Sequence, residues 1–188
     1  MSIRVTVIEG DISTRASLVG MIRRSAELRL AGAYGTGEEA LARWPADRPD
    51  VVVLDLNLCG MSGVEFIRVV RLRHRAIRVL AFAEFHDDQR VREAIGAGLD
   101  GYALKGAGYG PLAAGIFAVH RGEGFFPPMV ACRLAELLRA PGMSDIGVPL
   151  PSMNPLPTVR AIEVSVLVEH RFNNGGHATS VDAESGAL

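Results

Sequence analysis

Five short runs of β-branched and other apolar residues recur along the first hundred positions of this chain. Their first residues lie 25, 23, 27 and 23 positions apart, which is the length that a strand, a helix and two loops need together. The stretches between the runs carry apolar residues at helical spacing. The alternation predicts a parallel sheet covered by helices on both faces. The runs occupy residues 3–8, 28–31, 51–54, 78–82 and 101–104.

The third run has the pattern of a central strand. Residues 51–54 are apolar at every position, as a strand buried on both faces should be, whereas Arg4 and Thr6 make the first run less uniform. We therefore predict an α/β fold with a flavodoxin-like, doubly wound sheet of five parallel strands in the order 2-1-3-4-5.

The composition changes after the last of these units. Residues 127–139 have the pattern of an amphipathic helix opened by proline, where the missing N–H costs nothing. Five prolines and two glycines between 141 and 157 are typical of a linker. The 31 residues that follow have too few large apolar groups to form a core of their own. We predict a globular domain over 1–122, a linker helix over 123–140, a proline-rich linker over 141–157 and a short, poorly ordered segment over 158–188.

The overall composition excludes several classes of protein. Of the 188 residues, 48% are apolar and 22% are charged, a balance that can bury a core. No apolar stretch approaches the ~20 residues of a membrane span, and the N-terminus lacks a signal pattern. Cys59 and Cys132 have no disulfide-scaffold or zinc-site spacing. We expect a cytoplasmic protein with no membrane partner.

Charged residues follow three of the predicted strands. Glu9-Gly10-Asp11 follows the first run, Asp55 the third, and Lys105 the fifth; Lys105 is the single lysine among 20 basic residues. Open parallel sheets bind ligands beyond the carboxyl ends of their strands, so we expect these groups to meet there. Each acid alone is more often a helix cap or loop residue. Together they predict an acidic cluster with one compact cation.

Two stretches of sequence carry a family resemblance. Residues 49–63 (PDVVVLDLNLCGMSG) and 97–105 (AGLDGYALK) resemble the receiver domain of bacterial two-component response regulators, and the resemblance spans residues 3–122. It implies that Asp55 accepts a phosphoryl group from a histidine kinase and that Lys105 contacts that group. It also implies a Mg²⁺ ion on Glu9, Asp55 and the carbonyl of Asn57. Hard oxygen ligands suit Mg²⁺, and positive charge is what phosphoryl transfer requires.

The sequence also departs from the family pattern at two positions. The acidic pair after the first strand falls on Glu9 and Gly10, so one metal ligand is lost. The threonine or serine hydroxyl at the end of the fourth strand is replaced by Ala83, whereas the aromatic partner of this switch survives as Tyr102. We therefore expect an atypical site with weak Mg²⁺ binding and weak or absent phosphorylation.

The C-terminal part is similar to LuxR-type regulators. The proline-opened helix is similar to their linker helix, and the spacing of apolar residues from Leu156 to Ala178 is similar to the opening of their helix-turn-helix. The space after Leu156 is too short for a recognition helix. Residues 141–188 hold two arginines against five acids, 2 − 5 = −3, the wrong sign for binding phosphates. We expect a truncated, vestigial output segment and doubtful DNA binding.

These observations predict a signalling protein rather than an enzyme. The first hypothesis is a response regulator of a two-component phosphorelay with a role in transcription. The alternative is a phosphorylation-independent pseudo-receiver that acts as a dimerisation or protein-interaction module. An FMN-binding protein is disfavoured because Glu9 and Asp11 place negative charge where phosphate would bind. Family analogy implies a homodimer through the face of the fourth helix, fifth strand and fifth helix, near Val91, Ile95, Tyr102, Leu112 and Ile116.

Overall fold

The computed structural model describes residues 2–44, 48–84 and 88–139. The predicted segments at 141–157 and 158–188 lie outside the described residues. Strands and helices alternate along the chain, and a short 3-10 helix, Lys105–Ala107, follows the last strand. The elements are β1 (Ile3–Ile8), α1 (Ile12–Arg24), β2 (Leu28–Tyr34), α2 (Gly37–Arg43), β3 (Val51–Leu54), α3 (Gly63–Arg73), β4 (Arg78–Ala83), α4 (Asp88–Gly96), β5 (Gly101–Leu104), α5 (Tyr109–His120) and α6 (Pro128–Arg139).

The five strands form one parallel sheet in the order β2-β1-β3-β4-β5. The predicted fold class and strand order are confirmed, and each strand begins at the residue where its apolar run begins. The central strand β3 is buried along its whole length. Its neighbours pair in register, with Val7 opposite Val53 on one side and Leu80 opposite Val53 on the other. This pairing aligns the carboxyl ends of β1, β3 and β4 at one edge of the sheet.

Side-chain caps start the first three helices close to the strands that precede them. Asp11 caps α1, Thr36 caps α2, and Ser62 caps α3 by accepting a hydrogen bond from the Glu65 N–H, while Glu65 accepts one from the Ser62 N–H. Each cap satisfies an otherwise unpaired N–H of the first helical turn. Across the parts of the chain that the structure describes, no helix is long and apolar enough to cross a membrane.

Two hydrophobic clusters fill the space on the two faces of the sheet. One contains Leu18 and Ile22 of α1 and Ile116 of α5. The other contains Phe66 and Ile67 of α3, together with buried residues of α2 and α4. The sheet is therefore the middle layer of a three-layer α/β/α structure, which leaves its strand ends as the place where polar groups can gather.

The chain after α5 closes the open edge of β5. Phe125 forms a parallel bridge with Gly101, and its carbonyl accepts a 2.6 Å hydrogen bond from the Tyr102 N–H. Phe125 belongs to the cluster on the α1 and α5 side, whereas Phe126 packs against the opposite cluster, which also includes the fully buried Val130. These side chains complete both cores, and α6 begins at Pro128, within the stretch 123–140 predicted as a linker helix.

Candidate functional site

Three charged side chains meet where β1, β3 and β5 end. The Nζ atom of Lys105 lies 2.8 Å from Oδ2 of Asp55 and 2.8 Å from Oε2 of Glu9. Glu9 is 1% exposed and Asp55 is 5% exposed. The structure thus brings together Glu9, Asp55 and Lys105, which the sequence placed at these strand ends. The one positive charge of Lys105 lies between the two carboxylates.

Backbone hydrogen bonds hold the two carboxylates in place. The Asp55 N–H donates to the Ile8 carbonyl at 2.8 Å, and Oδ1 of Asp55 accepts from the Asn57 N–H at 2.9 Å. Oε1 of Glu9 accepts from the Asp11 N–H at 3.0 Å. A Cβ atom at Gly63 would lie 2.7 Å from the Asp55 carbonyl oxygen, so glycine is what allows α3 to begin this close to the site. Main-chain geometry therefore fixes both acids before any ligand binds.

The protonation of the cluster follows from its burial. Burial raises the pKa of Glu9 and outweighs the opposing effect of the Lys105 ammonium. Burial is also the largest influence on Lys105 and lowers its pKa, but the contacts with the negatively charged Asp55 and Glu9 side chains together raise it. Lys105 therefore carries its charge at neutral pH. Oε2 of Glu9 is buried and lacks a well-directed hydrogen-bond donor, so its contact with Lys105 is an ion pair without hydrogen-bond geometry.

The residues around Glu9 determine how well the site suits Mg²⁺. Oε2 of Glu9, which accepts no hydrogen bond, and the Asp55 carboxylate are the hard oxygen ligands that this ion prefers. Gly10 offers no third carboxylate, and Oδ1 of Asp11 is already engaged by the 2.7 Å capping hydrogen bond from the Thr14 N–H. Within residues 2–44, 48–84 and 88–139, no three Asp, Glu, His or Cys side chains form a metal-binding group. Glu9, Asp55 and the Asn57 carbonyl offer the oxygen ligands that fit Mg²⁺.

The predicted switch residues lie beside the site. Ala83 ends β4 and is 2% exposed, and Tyr102 in β5 is 1% exposed. The Tyr102 hydroxyl donates a 2.9 Å hydrogen bond to the Glu84 carbonyl, which holds the ring inside the protein. Burial raises the pKa of Tyr102, so the hydroxyl stays protonated. A small cavity next to Ala83 is lined also by Asn57, Arg90 and Tyr102.

Arg90 is a site residue that the sequence did not reveal. Its Nη1 atom donates a hydrogen bond to Oδ1 of Asn57, whose own N–H donates to Asp55. Arg90 also lines the groove between α3 and α4, together with Asn57, Ser62 and Arg68. Nothing in the sequence distinguishes Arg90 from the other arginines, because only the packing of α4 brings it to Asn57.

The residues predicted for a dimer surface require a correction. Val91, Tyr102, Leu112 and Ile116 are between 0% and 3% exposed, and they belong to the two cores. They face inward because they supply the apolar side of α4, β5 and α5 that covers the sheet. Of the five, Ile95 alone is partly exposed. Four of these side chains are therefore part of the interior and do not lie on the surface.

Known proteins that are similar to this chain in sequence or structure are response regulators. Response regulator protein VraR of Staphylococcus aureus (strain NCTC 8325 / PS 47) is 24% identical over 174 residues, covering 93% of this chain and 79% of VraR. The structure is similar to a LuxR-family two-component response regulator from Aurantimonas sp. SI85-9A1, with TM-score 0.68 and 26% identity over 73% of this chain and 99% of that one.

A second solved structure shows the same fold. The isolated REC domain of RcsB from Salmonella enterica serovar Typhimurium, in the presence of phosphomimetic BeF3-, superposes with TM-score 0.65 over 71% of this chain and 99% of that one. At 13% identity, this likeness concerns the fold alone. The sequence model of the family described as "response regulator receiver domain" matches residues 5–116. This chain, with its buried Glu9 and Asp55 and its half-buried Lys105 at the strand ends, belongs to the response regulator receiver domain family.

Proposed function

We propose that this protein is a response regulator of a two-component system in which Asp55 accepts a phosphoryl group from a histidine kinase. The supporting observation is the 2.8 Å contact between Asp55 Oδ2 and Lys105 Nζ. Phosphoryl transfer depends mostly on positioning and on neutralising the charge of the transferring oxygens. Asp55 is positioned by β3, and Lys105 provides the charge.

Each group at the site has a separate role in phosphoryl transfer. The Asp55 carboxylate is the nucleophile, and its oxygen bonds to phosphorus as the bond from phosphorus to the kinase imidazole nitrogen breaks. The Asn57 N–H orients Asp55 through Oδ1, which prevents the carboxylate from rotating. Lys105 exchanges one of its two carboxylate contacts for a phosphoryl oxygen. Glu9, Asp55 and the Asn57 carbonyl would hold a Mg²⁺ ion, which supplies further charge neutralisation when bound.

The same geometry supports an atypical response. Gly10 leaves the metal with one carboxylate fewer, so we propose weak Mg²⁺ binding. Ala83 has no hydroxyl to bind a phosphoryl oxygen, and Tyr102 is already held inside by the Glu84 carbonyl. The hydroxyl-dependent step of the switch is therefore missing at β4, while the aromatic residue that would follow it is in place.

Intact-protein mass spectrometry tests the proposal directly. The protein is incubated with acetyl phosphate, with and without Mg²⁺, beside the variants Asp55→Asn and Asp11→Asn. We expect a slow, Mg²⁺-dependent gain of one phosphoryl group in the wild type and none in Asp55→Asn. Asp11→Asn is the matched control, because asparagine preserves the helix cap while removing a carboxylate next to the site. Equal labelling of Asp55→Asn would contradict the proposal.

A second candidate function is a phosphorylation-independent pseudo-receiver that acts as a dimerisation or interaction module. The observation that favours it is the closed ion cluster: Lys105 is already paired with both Glu9 and Asp55, and Gly10 and Ala83 remove two groups that would favour a phosphoryl group. A folded protein that takes up no phosphoryl group at any Mg²⁺ concentration would establish this alternative over the first.

The output of the protein is proposed from its relatives. The match to VraR covers 93% of this chain and therefore extends past the receiver residues, and a LuxR-family regulator shares the fold at 26% identity. We assign transcription regulation to the protein on this basis. Direct DNA contact by residues 141–188 is not part of the proposal, because their charge of −3 opposes binding to phosphates.

Self-association completes the proposal. Homodimerisation through the exposed side of α4, β5 and α5 remains our expectation, with Ile95 as the predicted residue that is still accessible. Sedimentation velocity with and without acetyl phosphate measures the oligomeric state. A protein that stays monomeric at all concentrations, with Ile95→Glu unchanged from wild type, would contradict a dimer on this face.

A further inference from the structure

The charge of the phosphoacceptor site does not balance after phosphorylation. Before it, Glu9 and Asp55 carry two negative charges against the one positive charge of Lys105. A phosphoryl group adds oxygens and brings its own charge of about −1.5 to −2 in place of the Asp55 carboxylate. Gly10 weakens the metal contribution, and Ala83 removes a hydrogen-bond donor. The phosphorylated site therefore needs another cation within reach.

Two arginines lie next to this site: Arg15 donates to the Glu9 and Gly10 carbonyls, whereas Arg90 approaches from the side of Asn57 and Ala83. The Arg90 guanidinium and the Asp55 carboxylate bind the same residue, since Arg90 donates to the Asn57 side chain and Asp55 accepts from the Asn57 N–H. Arg90 also lines the small cavity beside Ala83 and Tyr102, where the missing hydroxyl would be. The residue is exposed, so solvent leaves room for another rotamer once the hydrogen bond to Asn57 is exchanged. An arginine fork can contact two phosphoryl oxygens at once.

We propose that Arg90 binds the phosphoryl group on Asp55 and thereby transmits phosphorylation to helix α4. The inference rests on the proposed function of Asp55. The phosphoryl oxygens compete with Asn57 Oδ1 for the guanidinium, because a contact between opposite charges is stronger than a hydrogen bond from the same guanidinium to a neutral amide oxygen. No covalent bond changes at Arg90; one hydrogen-bond acceptor replaces another. Helix α4 then moves together with Arg90. Arg90 thereby senses phosphorylation in place of the hydroxyl that is missing at the end of β4.

The test combines mass spectrometry with hydrogen–deuterium exchange of α4. Wild type, Arg90→Gln and Arg90→Lys are treated with acetyl phosphate and Mg²⁺, and phosphoryl occupancy and amide exchange are measured on the same samples. In the wild type we expect α4 exchange to change at least threefold on phosphorylation. In Arg90→Gln we expect that change to be lost and the phosphoryl group to decay about fivefold faster. Arg90→Lys keeps the charge without the fork and restores the response in part.

Arg92→Gln is the matched control, because Arg92 is an exposed arginine of the same helix. It should respond like the wild type. A phosphorylated Arg90→Gln variant with unchanged lifetime and unchanged α4 response overturns this inference and leaves the function of Asp55 intact. A wild type that is phosphorylated but shows no change in α4 exchange also overturns the inference about Arg90 and leaves the function of Asp55 intact. A wild type that takes up no phosphoryl group overturns the proposed function, and this inference with it.

Discussion

Lysine at position 105 suits a contact that arginine could not make equally well. A compact ammonium can approach two carboxylates from one point, and Nζ of Lys105 is 2.8 Å from both Glu9 and Asp55. The planar fork of arginine would favour a paired contact with one carboxylate. This geometry gives a physical reason for the single lysine in a chain that otherwise uses arginine.

Gly10 is the residue whose replacement tests the metal site most directly. A Cβ atom there would have only the Gly35 carbonyl oxygen nearby, at 3.9 Å, so the position accepts a side chain. We expect Gly10→Asp to increase Mg²⁺ affinity about tenfold, because a further carboxylate joins Glu9 and Asp55. Isothermal titration calorimetry measures the affinity.

Gly10→Asn is the control for that experiment, since it adds a similar side chain without a charge. Its Mg²⁺ affinity should remain close to that of the wild type. If Gly10→Asp binds Mg²⁺ no better than Gly10→Asn does, the missing carboxylate is not what limits metal binding at this site.

At the scale of elements, one ion pair joins the starts of two central strands. Oδ2 of Asp50, just before β3, accepts from the backbone N–H of Arg4 in β1 at 2.8 Å, and the Arg4 guanidinium donates to both Asp50 oxygens. The Asp50 N–H donates back to the Arg4 carbonyl at 2.8 Å. These contacts fix the register of β1 against β3, and therefore the relative positions of Glu9 and Asp55 at the other end.

Because of this ion pair, we expect the free energy of unfolding to depend on pH in the acid range. The hydrogen bond from the Arg4 side chain is the main reason that the pKa of Asp50 is lowered. A carboxyl group with a lowered pKa stabilises the fold above its ordinary pKa and loses that contribution as the pH falls through the folded value. At pH 7 we expect Asp50→Asn to lower the free energy of unfolding by about 1 kcal/mol, a modest figure because Arg4 is half-exposed.

Urea denaturation at several pH values measures this difference. The gap between wild type and Asp50→Asn should close as the pH falls below about 3.9, the ordinary pKa of aspartate. Glu27→Gln provides a comparison, as an exposed carboxyl group in the loop before β2. A gap that stays constant from neutral to strongly acid pH would mean that the charge of Asp50 does not contribute.

At the scale of the whole molecule, the fold is completed by residues that follow α5. Phe125 enters the core on the α1 and α5 side, and Val130 is fully buried on the other side of the sheet. Phe125 itself forms the bridge to Gly101 on the outer edge of β5. The segment thus covers an edge strand that would otherwise expose unpaired backbone groups. It also connects α6 to Tyr102, whose N–H donates to the Phe125 carbonyl.

Two fragments test how much this segment contributes. We expect the fragment 1–139 to be more stable than the fragment 1–122 by about 3–6 kcal/mol, because burying one phenylalanine and one valine contributes about 1.5–3 kcal/mol each. Urea denaturation followed by circular dichroism measures both. Equal stabilities would show that the core is already closed at residue 122.

Much of the candidate site followed from local sequence. Asp55 and Lys105 each come directly after a strand with a clear apolar pattern, so both could be placed at the carboxyl edge of the sheet before the structure was known. The absence of a carboxylate at Gly10 could also be read from the sequence, although the use of Asp11 as a helix cap required the structure. Arg90 could not be found, because its link to Asn57 spans 33 positions and depends on how α4 packs.

The sequence by itself determined the order of the elements, the start of every strand and the identity of the charged groups at the strand ends. Hydrophobic periodicity is a local property, and the register of a parallel sheet then carries those groups to one edge. Tertiary structure alone decided which apolar residues face inward and where the core ends. The side of a helix that becomes buried depends on its partners, so four residues expected on a dimer surface, Val91, Tyr102, Leu112 and Ile116, instead pack inside.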